Sequence, residues 1–130
     1  MPLVRISLVK GKPRDHIRAI SNGVHDALVE AFKVPADDRF QLIQQYDRDD
    51  FIYDPGYLGV DRSDDLVIIH ITASDWRDTA TKQAFYRTLA AKLAASPGLR
   101  PEDVMIALAP NRRDDWSFGH GLAQYVENAG

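Results

Sequence analysis

Residues 66–72 read LVIIHIT, an apolar run that is interrupted only by His70 before it ends at Thr72. An apolar run of this length after a polar segment is typical of a β-strand that is covered on both faces. Residues 104–108, VMIAL, form a second run of the same kind. We therefore predict two buried strands, and we interpret His70 as a hydrogen-bonded residue of the core.

The segment between these two strands has the spacing of a helix. Asp78 is a suitable N-cap residue, and the apolar residues Phe85, Leu89 and Leu93 recur at four-residue steps on one face. The order strand, helix, strand predicts a βαβ unit in the second half of the chain.

The first half of the chain repeats this order. In residues 3–9, Val4, Ile6 and Leu8 alternate with more polar positions, which predicts a strand. A helix with one apolar face follows and ends before Pro35. Its apolar positions are Ile17, Ile20, Val24, Ala27, Leu28 and Ala31. Residues 39–46 alternate again and predict the second strand of this unit.

The two units also share the turn that enters their second strand. Pro35-Ala36-Asp37 precedes one strand and Pro101-Glu102-Asp103 the other, 66 positions later, and the first strands begin at Leu3 and Leu66, 63 positions apart. We predict one domain over residues 1–130 with an α/β (α+β) fold. In it, two copies of a βαβ unit form a four-stranded sheet with both helices on one face. The apolar second face predicts oligomerisation through that face.

Composition limits the classes of function. The chain of 130 residues has a net charge of −3 and no cysteine, which excludes thiolate nucleophiles and sulfur metal sites. The basic residues are mixed with acids, so we expect no nucleic-acid partner. The sequence shows no signal peptide or membrane-spanning run, and we expect a cytoplasmic protein without a membrane partner. The four histidines lack the spacing of metal ligands, so no metal is expected.

Pro2 has the same parity as the apolar face of the first strand. If Met1 is removed, the strand begins with a secondary amine that points into the interior. A buried amine there can act as a general acid or base. The alternative is that Pro2 is a start residue without a function.

These features resemble the malonate semialdehyde decarboxylase branch of the tautomerase superfamily, in which an amino-terminal proline is the catalytic group. The resemblance is carried by Pro2 on a duplicated frame, by VPADDRF at residues 34–40, by one arginine after the third strand and by NRRDDWSFGHG at residues 111–121. It implies a homotrimer and cofactor-independent chemistry on a small carboxylate-bearing substrate.

The resemblance also implies roles for particular residues. Pro2 carries the reactive amine, Asp38 is its acidic partner and Arg77 holds the substrate carboxylate, while Trp116 and Phe118 form the wall of the pocket. One described family pattern has two arginines after the third strand, whereas ASDWRD offers only Arg77. His120 in FGHGL is a further candidate because it lies close to these residues in the sequence.

The charge of Pro2 separates the possible reactions. Burial favours a neutral base, which suits a keto–enol tautomerase, and a nearby Asp38 favours a cation, which suits decarboxylation of a 3-oxo acid. We expect decarboxylation of malonate semialdehyde. The alternatives are a phenylpyruvate-like tautomerase, a hydratase or dehalogenase of 3-substituted acrylates, and a non-catalytic oligomeric binding protein.

Overall fold

The structure, a computed structural model, describes residues 1–127, so the last three residues of the predicted domain lie outside the described part. Two copies of the order strand, helix, strand are present, followed by a short helix. The elements are β1 (Pro2–Val9), α1 (Arg14–Phe32), β2 (Gln41–Tyr46), β3 (Val67–Ser74), α2 (Thr79–Ala95), β4 (Val104–Asn111) and α3 (Gln124–Glu127).

The strands form one four-stranded sheet in the order β2-β1-β3-β4. Each unit contributes a parallel pair, β1 with β2 and β3 with β4, and the units join through the antiparallel pair β1 with β3. The predicted duplication is therefore confirmed. Because β1 and β3 run in opposite directions, the start of one lies beside the end of the other.

The structure corrects the spacing between the two copies. The first residues of β1 and β3, Pro2 and Val67, are 65 positions apart, and so are the first residues of α1 and α2. The strand register gives the same offset, because Val4 pairs with Gln41 and Ile69 pairs with Ile106. Asp103 is therefore the counterpart of Asp38, although the sequence pattern had aligned it with Asp37.

The core lies between the sheet and the two helices. Val4, Ile6 and Leu8 of β1 point into it, as their alternation predicts. The two helices pack against each other, and the rings of Phe32 and Phe85 meet at 4.5 Å between centroids. A Cβ atom on Gly23 would lie only 2.8 Å from Cδ2 of Leu93, so glycine allows this close approach. Burial of such large apolar side chains stabilises the fold by about 1.5–3 kcal/mol each.

The opposite face of the sheet, which we call the open face, is not covered within the chain. Phe40, Leu42 and Met105 are 52%, 47% and 45% exposed on the single chain. The prediction for His70 is wrong for the single chain, because His70 lies on this face beside Arg5 and is exposed. An apolar run predicts burial on both faces, but it does not show that one of the faces needs a second chain to be covered.

The end of the last strand also differs from the sequence analysis. β4 continues three residues past Leu108 to Asn111, and the tail contains the short helix α3. Asp78 caps α2 as predicted, since its side chain accepts a hydrogen bond of 2.8 Å from the Thr81 backbone. No helix within residues 1–127 is both long enough and apolar enough to cross a membrane.

Candidate active site

The start of β1 meets the end of β3 at one end of the sheet. Pro2 is buried and pairs with Ala73, so Ser74 and the loop to α2 surround the beginning of the chain. β2 enters from the other side, where the backbone N–H of Val4 donates to the carbonyl of Phe40 at 3.0 Å. This arrangement brings three loops from distant parts of the sequence around the amino-terminal residues.

Asp38 lies beside the amino terminus. Its Oδ2 is 3.9 Å from the amine nitrogen of Met1, and the side chains of Met1 and Asp38 are only 11% and 13% exposed. The other oxygen, Oδ1, is buried and has no hydrogen-bond partner within residues 1–127. A carboxylate held in this way is a strong acceptor for an ammonium group or for a bound ligand.

A short turn fixes the position of Asp38. The backbone N–H of Asp38 donates to the carbonyl of Pro35 at 3.0 Å. His25 is buried in α1, and its Nε2 donates to the carbonyl of Ala36 at 2.9 Å. His25 therefore ties the turn to the helix.

The surroundings move the pKa values of the amine and the carboxylate toward each other. Burial raises the pKa of Asp38 and Asp37 adds to this, while the ammonium of Met1 and His25 act in the opposite direction. Burial lowers the pKa of the Met1 amine, Asp38 opposes this, and Arg77 and Arg113 lower it further. Burial therefore disfavours the charged form of both groups, as is common for ionisable groups at functional sites.

Arg77 is only 8% exposed and lies next to this pair. Its guanidinium is between two rings, 4.4 Å from the centroid of Phe32 and 4.0 Å from that of Trp76. Nη1 donates to the carbonyl of Ser74 at 3.1 Å, and Nη2 donates to the carbonyl of Phe32 at 3.3 Å. Nε of Arg77 is buried and has no partner within the described residues. Arg77 thus supplies charge to the site, and only two of its five N–H donors bind the backbone.

An aromatic cluster lies beside the site on the side of the tail. Trp116 and Phe118 stack at 5.5 Å between centroids, and Tyr125 meets Phe118 edge-on at 5.0 Å. Nε1 of Trp116 donates to Oδ1 of Asn111 at 2.9 Å. The guanidinium of Arg113 lies over Tyr125, 4.5 Å from the ring centroid. The predicted aromatic pair therefore reaches the site through its contacts with Asn111 and Tyr125.

A cavity of about 410 Å³ opens at this end of the sheet. Its lining residues come from the amino terminus, the β3–α2 loop, the end of β4 and the tail: Met1, Ser74, Asp75, Trp76, Asn111, Arg112, Arg113 and Tyr125. Arg112 and Arg113 make it attractive to a carboxylate. Burial raises the pKa of the Tyr125 phenol and Asp38 adds to this, while Arg113 and Arg77 oppose it, so the phenol remains a hydrogen-bond donor at neutral pH.

Sequence reasoning missed Asn111, Arg113 and Tyr125 as residues of the site. A signal for Asn111 was present, since the ends of the parallel strands β3 and β4 must meet and Ser74 pairs with Asn111. Tyr125 gave no such signal, because its position depends on how the tail folds back. His120 lies outside the cavity, in an exposed turn with φ of 58° between Gly119 and Gly121.

The described part of the chain holds no group of three His, Cys, Asp or Glu side chains arranged to bind a metal ion.

Comparison with known families agrees with this geometry. Residues 38–119 match the model of a family described as tautomerase enzymes, and residues 2–60 match a second model with the same description. The chain belongs to the tautomerase superfamily.

Individual relatives define the branch. The probable tautomerase YusQ of Bacillus subtilis (strain 168) is 44% identical over 127 residues, which cover 98% of this chain and 100% of that protein. FG41 malonate semialdehyde decarboxylase, whose structure was solved with the protein inhibited by 3-bromopropiolate, is 43% identical in sequence to this chain. The two structures superpose with a TM-score of 0.90, over 97% of this chain and 95% of that one. A second malonate semialdehyde decarboxylase, with decarboxylase and hydratase activities, is 33% identical, with a TM-score of 0.90 and 97% coverage of both chains. This tautomerase-superfamily enzyme is therefore a member of the malonate semialdehyde decarboxylase-like branch.

Proposed function

We propose that this enzyme decarboxylates a small 3-oxo acid of the malonate semialdehyde type, with Pro2 as its acid after removal of Met1. The observation that carries the proposal is the buried amine at the start of β1 beside Asp38, whose nearer oxygen is 3.9 Å away. Removal of Met1 moves the free amine one residue inward, to the secondary amine of Pro2. Similarity to two malonate semialdehyde decarboxylases supports the same chemistry.

The reaction breaks the bond between the carboxylate carbon and its neighbour. The electron pair moves toward the carbonyl, so that carbon dioxide leaves and an enolate forms. A cationic Pro2 donates a hydrogen bond to the carbonyl oxygen and stabilises the charge that develops there. Protonation of the enolate carbon then gives the aldehyde. Asp38 holds Pro2 in its charged form.

The substrate carboxylate needs a cationic partner, and the sequence assigned this role to Arg77. Each terminal nitrogen of Arg77 gives one of its two N–H groups to a backbone carbonyl, so we assign to Arg77 positive potential and its remaining N–H donors, including Nε–H. Arg113 and the Tyr125 hydroxyl line the cavity and contact the carboxylate in this proposal. Trp116 and Phe118 pack behind Tyr125 and keep water from the group that leaves.

A keto–enol tautomerase is the second candidate. It is favoured by the burial that lowers the pKa of the amine at this end of β1, because a neutral proline is a base. The hydratase or dehalogenase alternative uses the same cavity, and the superfamily assignment favours an enzyme over a non-catalytic binding protein.

The test combines intact mass, activity and titration. We expect the active protein to lack Met1, to decarboxylate 3-oxopropanoate faster than it tautomerises phenylpyruvate, and to give a nitrogen-resolved NMR titration in which Pro2 is a cation at neutral pH. Full activity with Met1 retained would falsify the role of Pro2. A neutral Pro2 with faster tautomerisation would instead support the second candidate.

We further propose that the protein is a homotrimer that buries the open face. The exposed Phe40, Leu42 and Met105 support burial by another copy, because large apolar patches rarely face water. Sedimentation at micromolar concentration should show a closed trimer, and a well-folded monomer under those conditions would disprove this assembly.

A further inference from the structure

A second, basic groove lies along the edge strand β2, and Arg39 in its lining directly follows Asp38 of the candidate active site. It runs between the first turns of α1 and the helix-facing side of β2, has a volume of about 360 Å³, and is open to solvent. Its lining residues are three arginines, two polar residues and two isoleucines: Arg14, Arg18, Arg39, Ser21, Gln41, Ile17 and Ile43. Arg14, Arg18 and Ser21 lie on one helical stripe, so the fold aligns them opposite β2.

The arginines of this groove form no ion pairs among the described residues. Within residues 1–127, none of its three arginines lies within ion-pair distance of a carboxylate, and no acidic side chain lines it. Asp15 and Asp26 line an adjoining groove that Arg18 also borders, but neither forms an ion pair with Arg18. Three arginines in one groove, all without an ion pair in the described part of the chain, stand out in a protein with a net charge of −3.

The floor of the groove is held by hydrogen bonds. Nη2 of Arg39 donates to Oγ of Ser21 and to Oδ1 of Asn22, both at 2.8 Å. Nε2 of Gln41 donates to the carbonyl of Ser21 at 3.0 Å, and the Ser21 hydroxyl, which is buried, donates to Oε1 of Gln41. Arg39 is therefore fixed through one nitrogen, and its other donors have no protein partner among the described residues.

We propose that this groove binds a soluble phosphate-bearing anion, such as pyrophosphate or a phosphate monoester. The planar fork of arginine matches two oxygens of a phosphate group, and three such forks favour a polyanion over the monocarboxylate proposed for the candidate active site. The pre-positioned Arg39 lowers the ordering cost of binding. The proposal does not depend on the reaction catalysed at the other site.

The test is an NMR titration of the assembled protein with inorganic pyrophosphate, followed through the arginine Nε–Hε signals. We expect saturable shifts at Arg14, Arg18 and Arg39, and an affinity that falls as salt is added. Arg14→Gln and Arg18→Gln should each weaken binding by roughly tenfold. Arg87→Gln is the matched control, because Arg87 is also an exposed helix arginine without an ion pair within residues 1–127, and it should bind as the parent does.

Any one of the following results would overturn the proposal. The first is no saturable binding, and the second is equal weakening by Arg87→Gln. The third is a set of shifts confined to Arg112 and Arg113, which would place the anion in the candidate active site. The fourth combines two observations: the parent does not bind pyrophosphate, and the oligomer of the Arg14→Gln, Arg18→Gln double variant dissociates. Together they would show that the groove binds carboxylates of a neighbouring copy. Binding to phosphatidic acid vesicles but not to pyrophosphate would assign it to a lipid surface instead.

Discussion

Asp38 and Asp103 occupy equivalent positions in the two halves of the molecule, 65 residues apart, yet their surroundings differ. Asp103 is 1% exposed and fully engaged, since it accepts from the backbone N–H and the hydroxyl of Ser63, both at 2.7 Å, and lies 3.4 Å from Nε of Arg100. Asp38 has one oxygen without a partner in the described structure and an amine beside the other. Asp103 is therefore engaged in stabilising its end of the sheet, whereas Asp38 is left available for the acid–base role that we propose for it.

The largest expected effect is the difference between substitutions at Pro2 and at Val67, its counterpart in the second unit. Pro2→Ala replaces the secondary amine by a primary one, so decarboxylation should fall by about a hundredfold or more while the fold is kept. Val67→Ala should cost about 2 kcal/mol of unfolding free energy, because Val67 is fully buried, and should leave kcat unchanged. Steady-state kinetics and urea unfolding of both variants measure this, and unchanged turnover in Pro2→Ala would remove the functional difference between the two ends.

The second comparison replaces Asp38 and Asp103, one at a time, by asparagine. Asp103→Asn should lower the unfolding free energy by about 2 kcal/mol, because an amide donor then faces the Ser63 and Arg100 donors. Asp38→Asn should stay within about 0.5 kcal/mol of the parent or exceed it, while decarboxylation is lost. Denaturant unfolding paired with activity assays tests both parts, and equal destabilisation by the two changes would mean that Asp38 is also a structural residue.

Arg77 and Lys12 are likewise 65 positions apart. Arg77→Ala removes stacking against two rings and two backbone hydrogen bonds, so we expect a loss of about 1.5 kcal/mol of stability together with a raised KM. Lys12 forms an ion pair with Asp65 near the surface, and Lys12→Ala should cost less than about 0.5 kcal/mol and leave KM unaltered. Thermal unfolding measures the loss of stability in each variant, and Michaelis profiles measure KM. Equal changes in both quantities for the two variants would contradict a special role of Arg77.

The smallest expected effect is the pH dependence of stability at Asp38. Its pKa is raised in the folded protein, so between its ordinary value and the raised value the folded state binds more protons than the unfolded state. The unfolding free energy therefore falls as the pH rises through this window. The Asp38→Asn variant lacks this contribution to the pH dependence of the unfolding free energy. Any excess of its unfolding free energy over that of the parent should disappear as the pH falls below the ordinary pKa of aspartate. Urea unfolding of the parent and of Asp38→Asn across the acid range measures this. If Asp38 were not involved, the unfolding free energies of the two proteins would change with pH in parallel.

The sequence predicted the frame well because periodicity and duplication report directly on buried faces. The pairing of Pro2 with Asp38 was implied by the family resemblance, and the parallel pairing of β1 with β2 explains it, because the start of β1 lies beside the entry to β2. The contacts of Arg77 could not be predicted, because they depend on side-chain packing against Phe32 and on a carbonyl from the other unit. His70 was misassigned because one copy of the chain does not cover its own open face.

The bond from Arg77 to the carbonyl of Phe32 also has an electrostatic consequence, because Phe32 is the last residue of α1. A helix ends in carbonyl groups without intrahelical partners, which together act as a partial negative charge. That charge would repel an anionic substrate that approaches the amino terminus. Arg77 neutralises the end of the helix dipole, so it can favour carboxylate binding through the local field without touching the substrate.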